Sequence, residues 1–200
     1  MKKRAEEIER EIIEFLDAGS SRKGDPNIGC GTQHGLACAL ATAKDNIPRA
    51  TPLDYYSEGL TIWMVTSAGG KVDNIKANPN VSLCIYTPVG DHSVRNRSLQ
   101  IWGKVTLLTY ESAPKEYEER IEKWGIRDIT SWTIEPMVRR GEIPRDKKDE
   151  RVDGLLKTFY MIKVEPDTIV MSDMNPDATW NKFTWKREKK SIETTQGFTP

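Results

Sequence analysis

Hydroxyls, flexible backbone and a lysine crowd into one short stretch of this chain, WMVTSAGGKVDNIKANPNVSL, from Trp63 to Leu83. It opens as the end of an apolar, β-branched run, LTIWMVT, which fits a buried strand. At Thr66-Ser67-Ala68-Gly69-Gly70 the pattern breaks into small residues, and the two glycines are free to take positive φ. Lys71 then opens a short helical segment with Val72, Ile75 and Lys76 in helical spacing, and Asn78-Pro79 stops it. A second strand, VSLCIYT, follows at once. Such a corner suits a phosphate, because orphan N–H groups and the helix dipole favour an anion and Lys71 adds a full positive charge. The same pattern also serves as plain connective structure with a solvated lysine. Neither GxxxxGK[ST] nor GxGxxG occurs, so this is neither a P-loop nor a dinucleotide fingerprint.

The elements that must position this corner follow from the rest of the chain. Two hundred residues are enough for one ordinary domain with a real core. Thirty basic and thirty acidic residues balance, so the overall charge calls for neither nucleic acid nor a membrane surface. No apolar run reaches the length of a transmembrane helix, and the amphipathic N-terminus lacks the apolar core of a signal peptide. Cys30, Cys38 and Cys84 are odd in number and scattered, as free thiols in a reducing cytoplasm would be. A cytoplasmic location is expected.

Ile8, Ile12, Phe15 and Leu16 place an apolar stripe on an N-terminal helix that ends near Gly19. LACALAT (Leu36–Thr42) and IPRATPLDYY (Ile47–Tyr56) read as strands around a turn at Ala43-Lys44-Asp45-Asn46, the second at an edge because of Pro48 and Pro52. SLQIWGKVTLL (Ser98–Leu108) is a long strand in which Gly103 suggests a bulge. A helix starts near Ser112 and Pro114, with Tyr117, Ile121 and Trp124 on one face. From Ile126 to Gly154 the periodicity is poor, and PRDKKDER reads as a solvated loop. TFYMIKV and TIVMS read as a final hairpin joined by Glu165-Pro166-Asp167. About seven strands without βαβ alternation predict a mainly antiparallel sheet curled into a small closed or half-closed barrel. The expected layout is one domain: helix and loop over 1–35, barrel core over 36–108, helical and loop insert over 109–157, final hairpin over 158–172 and tail over 173–200.

Three stretches, ALATAKDNIPRATPLDYY, MVTSAGGKVDNIKANPNVSLCIY and SLQIWGKVTLL, resemble the pyridoxamine 5′-phosphate oxidase-like FMN-binding split-barrel family. The resemblance spans roughly residues 36–108, with a weaker echo in YMIKVEPDTIVM. It implies an antiparallel split β-barrel, mainly β with helical additions, that forms homodimers with FMN in a cleft between subunits. It further implies flavin contacts from Arg49, Ala50, Thr51 and Leu53 on one strand and from Thr66, Ser67 and Lys71 at the corner. Alternation sends Arg49, Thr51 and Leu53 to one face. Where many members carry an arginine before the lysine, this chain has Gly70, which leaves one phosphate partner missing or replaced by Arg49. On the later strand, Ser98 stands where members have a glutamine, and Gln100 is the candidate substitute.

The oxidases of the family also carry a C-terminal tryptophan at the position of Ser172, so oxidation of pyridoxamine 5′-phosphate itself is not expected. The tail aromatics Trp180, Phe183 and Trp185 serve either to dock the terminus or to cap a flavin, and Trp185 is the candidate contact. Cys30, His34 and Cys38 are four apart, but the glycines among them argue against a helix, and no metal is expected. The function implied is an FMN-dependent oxidoreductase of a small molecule, with an electron donor such as a pyridine nucleotide. A non-catalytic flavin- or haem-binding carrier or sensor is the alternative.

Overall fold

The computed structural model describes residues 5–21, 36–87, 95–177, 179–188 and 191–196. Its frame is one antiparallel sheet. Strands β1 (Ala37–Lys44) and β2 (Ile47–Pro52) form a hairpin, and β3 (Tyr56–Glu58) pairs with β4 (Thr61–Thr66). Helix α2 (Gly70–Ala77) leads into β5 (Asn80–Tyr86) and the long β6 (Asn96–Leu108). Three further helices, α3 (Pro114–Lys123), α4 (Ile126–Arg139) and α5 (Lys148–Leu156), precede β7 (Tyr160–Met174), β8 (Trp180–Lys186) and β9 (Ser191–Gln196). The strand order is β2-β1-β5-β6-β7-β4-β3, and β8 and β9 extend from the second half of β7. One flank of β7 is thus shared: Met161–Val164 pair with β4 and Thr168–Met174 with β8. The barrel splits there and does not close.

Local chemistry accounts for these elements. The first hairpin turns on Asp45 and Asn46, both at positive φ, a conformation that short polar side chains tolerate and that matches strand twist. Among the described residues strand β2 pairs only with β1, so its prolines sit at an edge where a missing N–H does no harm. At Gly103 the β6–β7 register shifts, with Trp102 opposite Thr168 and Gly103 opposite Pro166. The bulge skips Asp167 and absorbs the donor that Pro166 lacks.

Two apolar cores lie on the two faces of this sheet. Leu40, Ile62, Met64, Leu83, Ile85, Leu99 and Ile101 fill the barrel, and helix α1 (Ala5–Gly19) closes it with Ile8, Ile12, Phe15 and Leu16. The Tyr55 hydroxyl fixes α1 by donating to the Leu16 carbonyl at 2.8 Å. On the other face Trp63 and Met161 meet the helical insert through Tyr117, Ile121, Trp124 and Ile134. Tyr56 stacks on Trp124 with ring centroids 4.5 Å apart, and the Arg120 guanidinium lies over Trp63.

Four sequence expectations are corrected. Among the described residues there are nine strands, not seven. The segment 158–172 is no hairpin: Pro166 sits inside one bent strand, because the bulge opposite it lets the chain continue. The segment 126–154 is largely helical. The α4 stripe Ile126, Thr130, Ile134, Val138 is diluted by a threonine, and α5 buries only Val152 and Leu156, so little periodicity shows in the sequence. PRDKKDER is accordingly a short 3-10 turn (Arg145–Lys147) running into α5. The tail carries a β-hairpin, β8–β9, and buries Phe183 and Trp185 in the barrel core.

Candidate functional site

The corner between β4 and α2 is built from backbone first. Gly69 holds φ 147°, a conformation that side chains disfavour, and its carbonyl accepts from the N–H groups of Val72 and Asp73. The first-turn N–H groups of Gly70 and Lys71 precede any intrahelical acceptor and face outward at the positive end of α2. Asn74 ties this helix to the barrel by donating from Nδ2 to Thr42 Oγ1 at 3.1 Å. The Thr66 hydroxyl, buried at the end of β4, donates to the Ser67 carbonyl at 3.2 Å.

Two cations meet at this corner. Arg49 stands opposite Thr42 on β2, and its guanidinium reaches across to lie 3.1 Å from where a Cβ on Gly70 would be. The Lys71 ammonium is pulled below the ordinary lysine range, first by partial burial and then by Arg49. Among the described residues neither cation has an acidic partner. Two like charges held together beside a helix N-terminus are costly unless an anion joins them. The donor set, with open space beside Gly69, fits a phosphate.

The other sequence candidates fall into groups. Thr51 pairs with Leu40 and so shares the barrel-facing side of β2 with Arg49, while Leu53 packs against the barrel core. Ala50, paired with Ala41, points to the opposite side. Gln100, between the core residues Leu99 and Ile101, pairs with Cys84 and Val170, and Ser98, just before Leu99, pairs with Tyr86 and Ser172. Ala50, Ser98 and Gln100 therefore occupy the outer face of the sheet, away from Arg49. Trp185 is not brought to the corner. It pairs with Ile169, far along β7 from the Tyr160 that faces Thr66, and its indole N–H donates to Glu9 Oε2 at 2.8 Å. Cys30 and His34 lie outside the described residues, and Cys38 is a buried thiol with its pKa pushed up to about 12 by burial.

Beside the corner a cleft of about 330 Å³ opens under α4. Thr66 and Ser67 form the rim it shares with the corner, and Tyr56, Val65, Ile126, Ile129 and Phe159 form apolar walls. Asp54, Thr130 and Thr133 complete the lining. None of the α4 residues was singled out from sequence. The signal available was weak: Ile126 and Thr130, with Ile129 and Thr133, repeat at i, i+4 and so form one helical face.

The chain matches the family model described as pyridoxamine 5′-phosphate oxidase over residues 32–151, and it belongs to that family. Among solved structures it is similar to a pyridoxamine 5′-phosphate oxidase-related, FMN binding protein from Nostoc punctiforme PCC 73102. That likeness covers 95% of this chain and 96% of the other, at 15% identity and a TM-score of 0.61. It is also similar to PhzG from Burkholderia lata 383 in complex with tetrahydrophenazine-1-carboxylic acid, over 82% of each chain, at 15% identity and a TM-score of 0.52. At such identities the likeness is one of fold. No curated protein matches the chain.

Proposed function

We propose that this protein is an FMN-binding oxidoreductase acting on a small organic molecule. The observation that carries the reading is the pair of cations, Arg49 and Lys71, beside the first turn of α2, neither with an acidic partner among the described residues. FMN ends in a phosphate, and a phosphate answers both charges and the free N–H groups together. The family match and the FMN binding stated for the Nostoc relative support the same cofactor. When bound, FMN supplies hydride and electron transfer.

The chain's own residues have separable tasks in this scheme. Arg49 and Lys71 neutralise the phosphate, and the Ser67 hydroxyl bonds the chain linking phosphate to ring. The α4 roof over the adjoining cleft keeps water from that side. Ala50, Ser98 and Gln100 point away from this corner, so they serve a flavin held by the corner of a second copy. That division supports a homodimer with two sites, each completed by both chains.

The visible spectrum of protein reconstituted with FMN, followed anaerobically during addition of NADH and then NADPH, tests the reading. Bound flavin that bleaches with a pyridine nucleotide and reoxidises with an organic acceptor is the expected result. Flavin that binds but is reduced by neither nucleotide nor any partner reductase would mean a non-catalytic carrier or sensor. Failure to bind FMN would remove the cofactor.

A further inference from the structure

A closed frame of contacts links the two cations of the corner. Thr42 and Arg49 face each other across the β1–β2 hairpin, and the Arg49 guanidinium ends against Gly70. Asn74 lies four residues after Gly70 and three after Lys71, so the three share one side of α2. The frame closes where Asn74 Nδ2 donates to the buried Thr42 hydroxyl at 3.1 Å, one helical turn from the guanidinium. Little else fixes how α2 sits. It is eight residues long, its buried side chains are Val72 and Ile75, and Gly69 gives it no side-chain cap. Apolar contacts are non-directional and leave a short helix free to slide and roll. Lys76 donates to the Tyr160 hydroxyl at 3.2 Å, but from the exposed last turn, at the other end of the helix from Lys71.

We propose that Thr42 and Asn74 are positioning residues for the phosphate: their bond fixes the spacing of Arg49 and Lys71, and neither touches the ligand. This assignment rests on the flavin reading of the corner and deepens it to what sets phosphate recognition. One phosphate bridges two cations only over a narrow range of separations, and like charges spread apart when nothing restrains them. Thr42 moves with the hairpin that carries Arg49, and Asn74 moves with the helix that carries Lys71. Both bonding groups are neutral, so they restrain the cations without adding charge and do so whatever the protonation of Lys71.

Thr42→Val removes the hydroxyl and keeps the shape of a buried, β-branched residue, while Asn74→Ala breaks the same bond from the half-buried helix side. In flavin titrations each variant should weaken FMN roughly three- to tenfold, the loss of one neutral hydrogen bond expressed in affinity, and leave riboflavin unchanged. Thr42→Ser keeps the hydroxyl and should bind FMN like wild type. In a Lys71→Met background, Thr42→Val should cost less than about twofold, because only one cation is left to place. A second measurement needs no flavin. The Lys71 side-chain NMR signal, assigned by its loss in Lys71→Met, is titrated with alkali, and in wild type its midpoint lies below 10.5. Thr42→Val and Asn74→Ala should move that midpoint up toward 10.5 as the cations separate, and Thr42→Ser should not. Equal losses of FMN and riboflavin, wild-type FMN affinity in both variants, or an unmoved Lys71 midpoint would overturn the proposal. If wild type fails to bind FMN, the flavin reading falls, and the Lys71 midpoint alone decides whether the bond spaces the cations.

Discussion

The Arg49 guanidinium occupies the space over Gly70 that a side chain at position 70 would fill, with its Cζ and a terminal nitrogen 3.1 Å from an ideal Cβ there. A residue on the edge strand β2 thus delivers its charge to the helix start, where many members of the family carry an arginine of their own. Gly70 is part of the helix and has no positive φ, so the absent side chain is not demanded by the backbone. It leaves room for Arg49.

That relationship makes a reciprocal prediction. Arg49→Ala should weaken FMN by roughly ten- to a hundredfold, the loss of one charge-assisted bond to phosphate, and leave riboflavin unchanged. Adding Gly70→Arg to that variant should recover most of the affinity, because the new guanidinium enters vacated space. Gly70→Arg alone should recover nothing and cost affinity, as the two guanidinium groups then compete. Flavin titrations of the four proteins decide it, and a double variant no better than Arg49→Ala would refute the substitution of one arginine by the other.

Much of this corner was legible because it is local. The strand end, the Gly-Gly break, the helix from Lys71 and its stop at Asn78-Pro79 all lie within one short stretch, and alternation alone put Arg49 and Thr51 on one face. The rest depends on distant partners. Pro166 reads as a turn until Gly103 is set against it, more than sixty positions earlier in the chain. Trp185 reads as a candidate flavin cap until Glu9, near the other end of the chain, takes its N–H. The cleft joins Asp54 to Thr130 and Thr133, and no sequence spacing relates a loop after β2 to a helix in the insert.

The bulge that lets β7 continue past Pro166 makes Gly103 a sensitive position. A Cβ there would collide with the Glu165 backbone, which cannot swing aside as a side chain can. Gly103→Ala should therefore destabilise the protein by about 1–3 kcal/mol, seen as a lower midpoint in urea. Pro166→Ala should be nearly neutral, since no regular ladder bond is required at the bulge. Equal losses for both would mean that the proline, not the glycine, sets the bend.

Asp173 is buried on β7 and accepts two bonds from Arg95, at 2.7 Å from Nε and 2.6 Å from a terminal nitrogen, while the arginine stays 43% exposed. The exposures make the pair asymmetric. Arg95→Ala strands a buried carboxylate and should cost about 3 kcal/mol, whereas Asp173→Ala releases an arginine that can turn to water and should cost nearer 1 kcal/mol. Thermal or urea unfolding of the two variants tests this, and the reverse order would show that Asp173 has other partners that hold it without Arg95.

Lys71 carries the strongest test, because its effects on stability and on binding have opposite signs. Burial and Arg49 lower its pKa below 10.5, so in the window beneath that value the unfolded chain binds more protons than the folded one. The charged lysine therefore costs stability at neutral pH, and the cost is relieved as pH rises through the lowered value. Lys71→Met should make the flavin-free protein more stable at pH 7, with a smaller rise in stability on the alkaline side than wild type. The same variant should lose roughly ten- to a hundredfold in FMN affinity and nothing toward riboflavin. For wild type, FMN affinity should fall on the alkaline side as the ammonium loses its proton, while riboflavin affinity stays flat over that range. Denaturation midpoints and flavin titrations across the alkaline range measure both effects. A Lys71→Met protein that is less stable without flavin, and loses FMN and riboflavin equally, would show that the lysine supports the fold and not the phosphate.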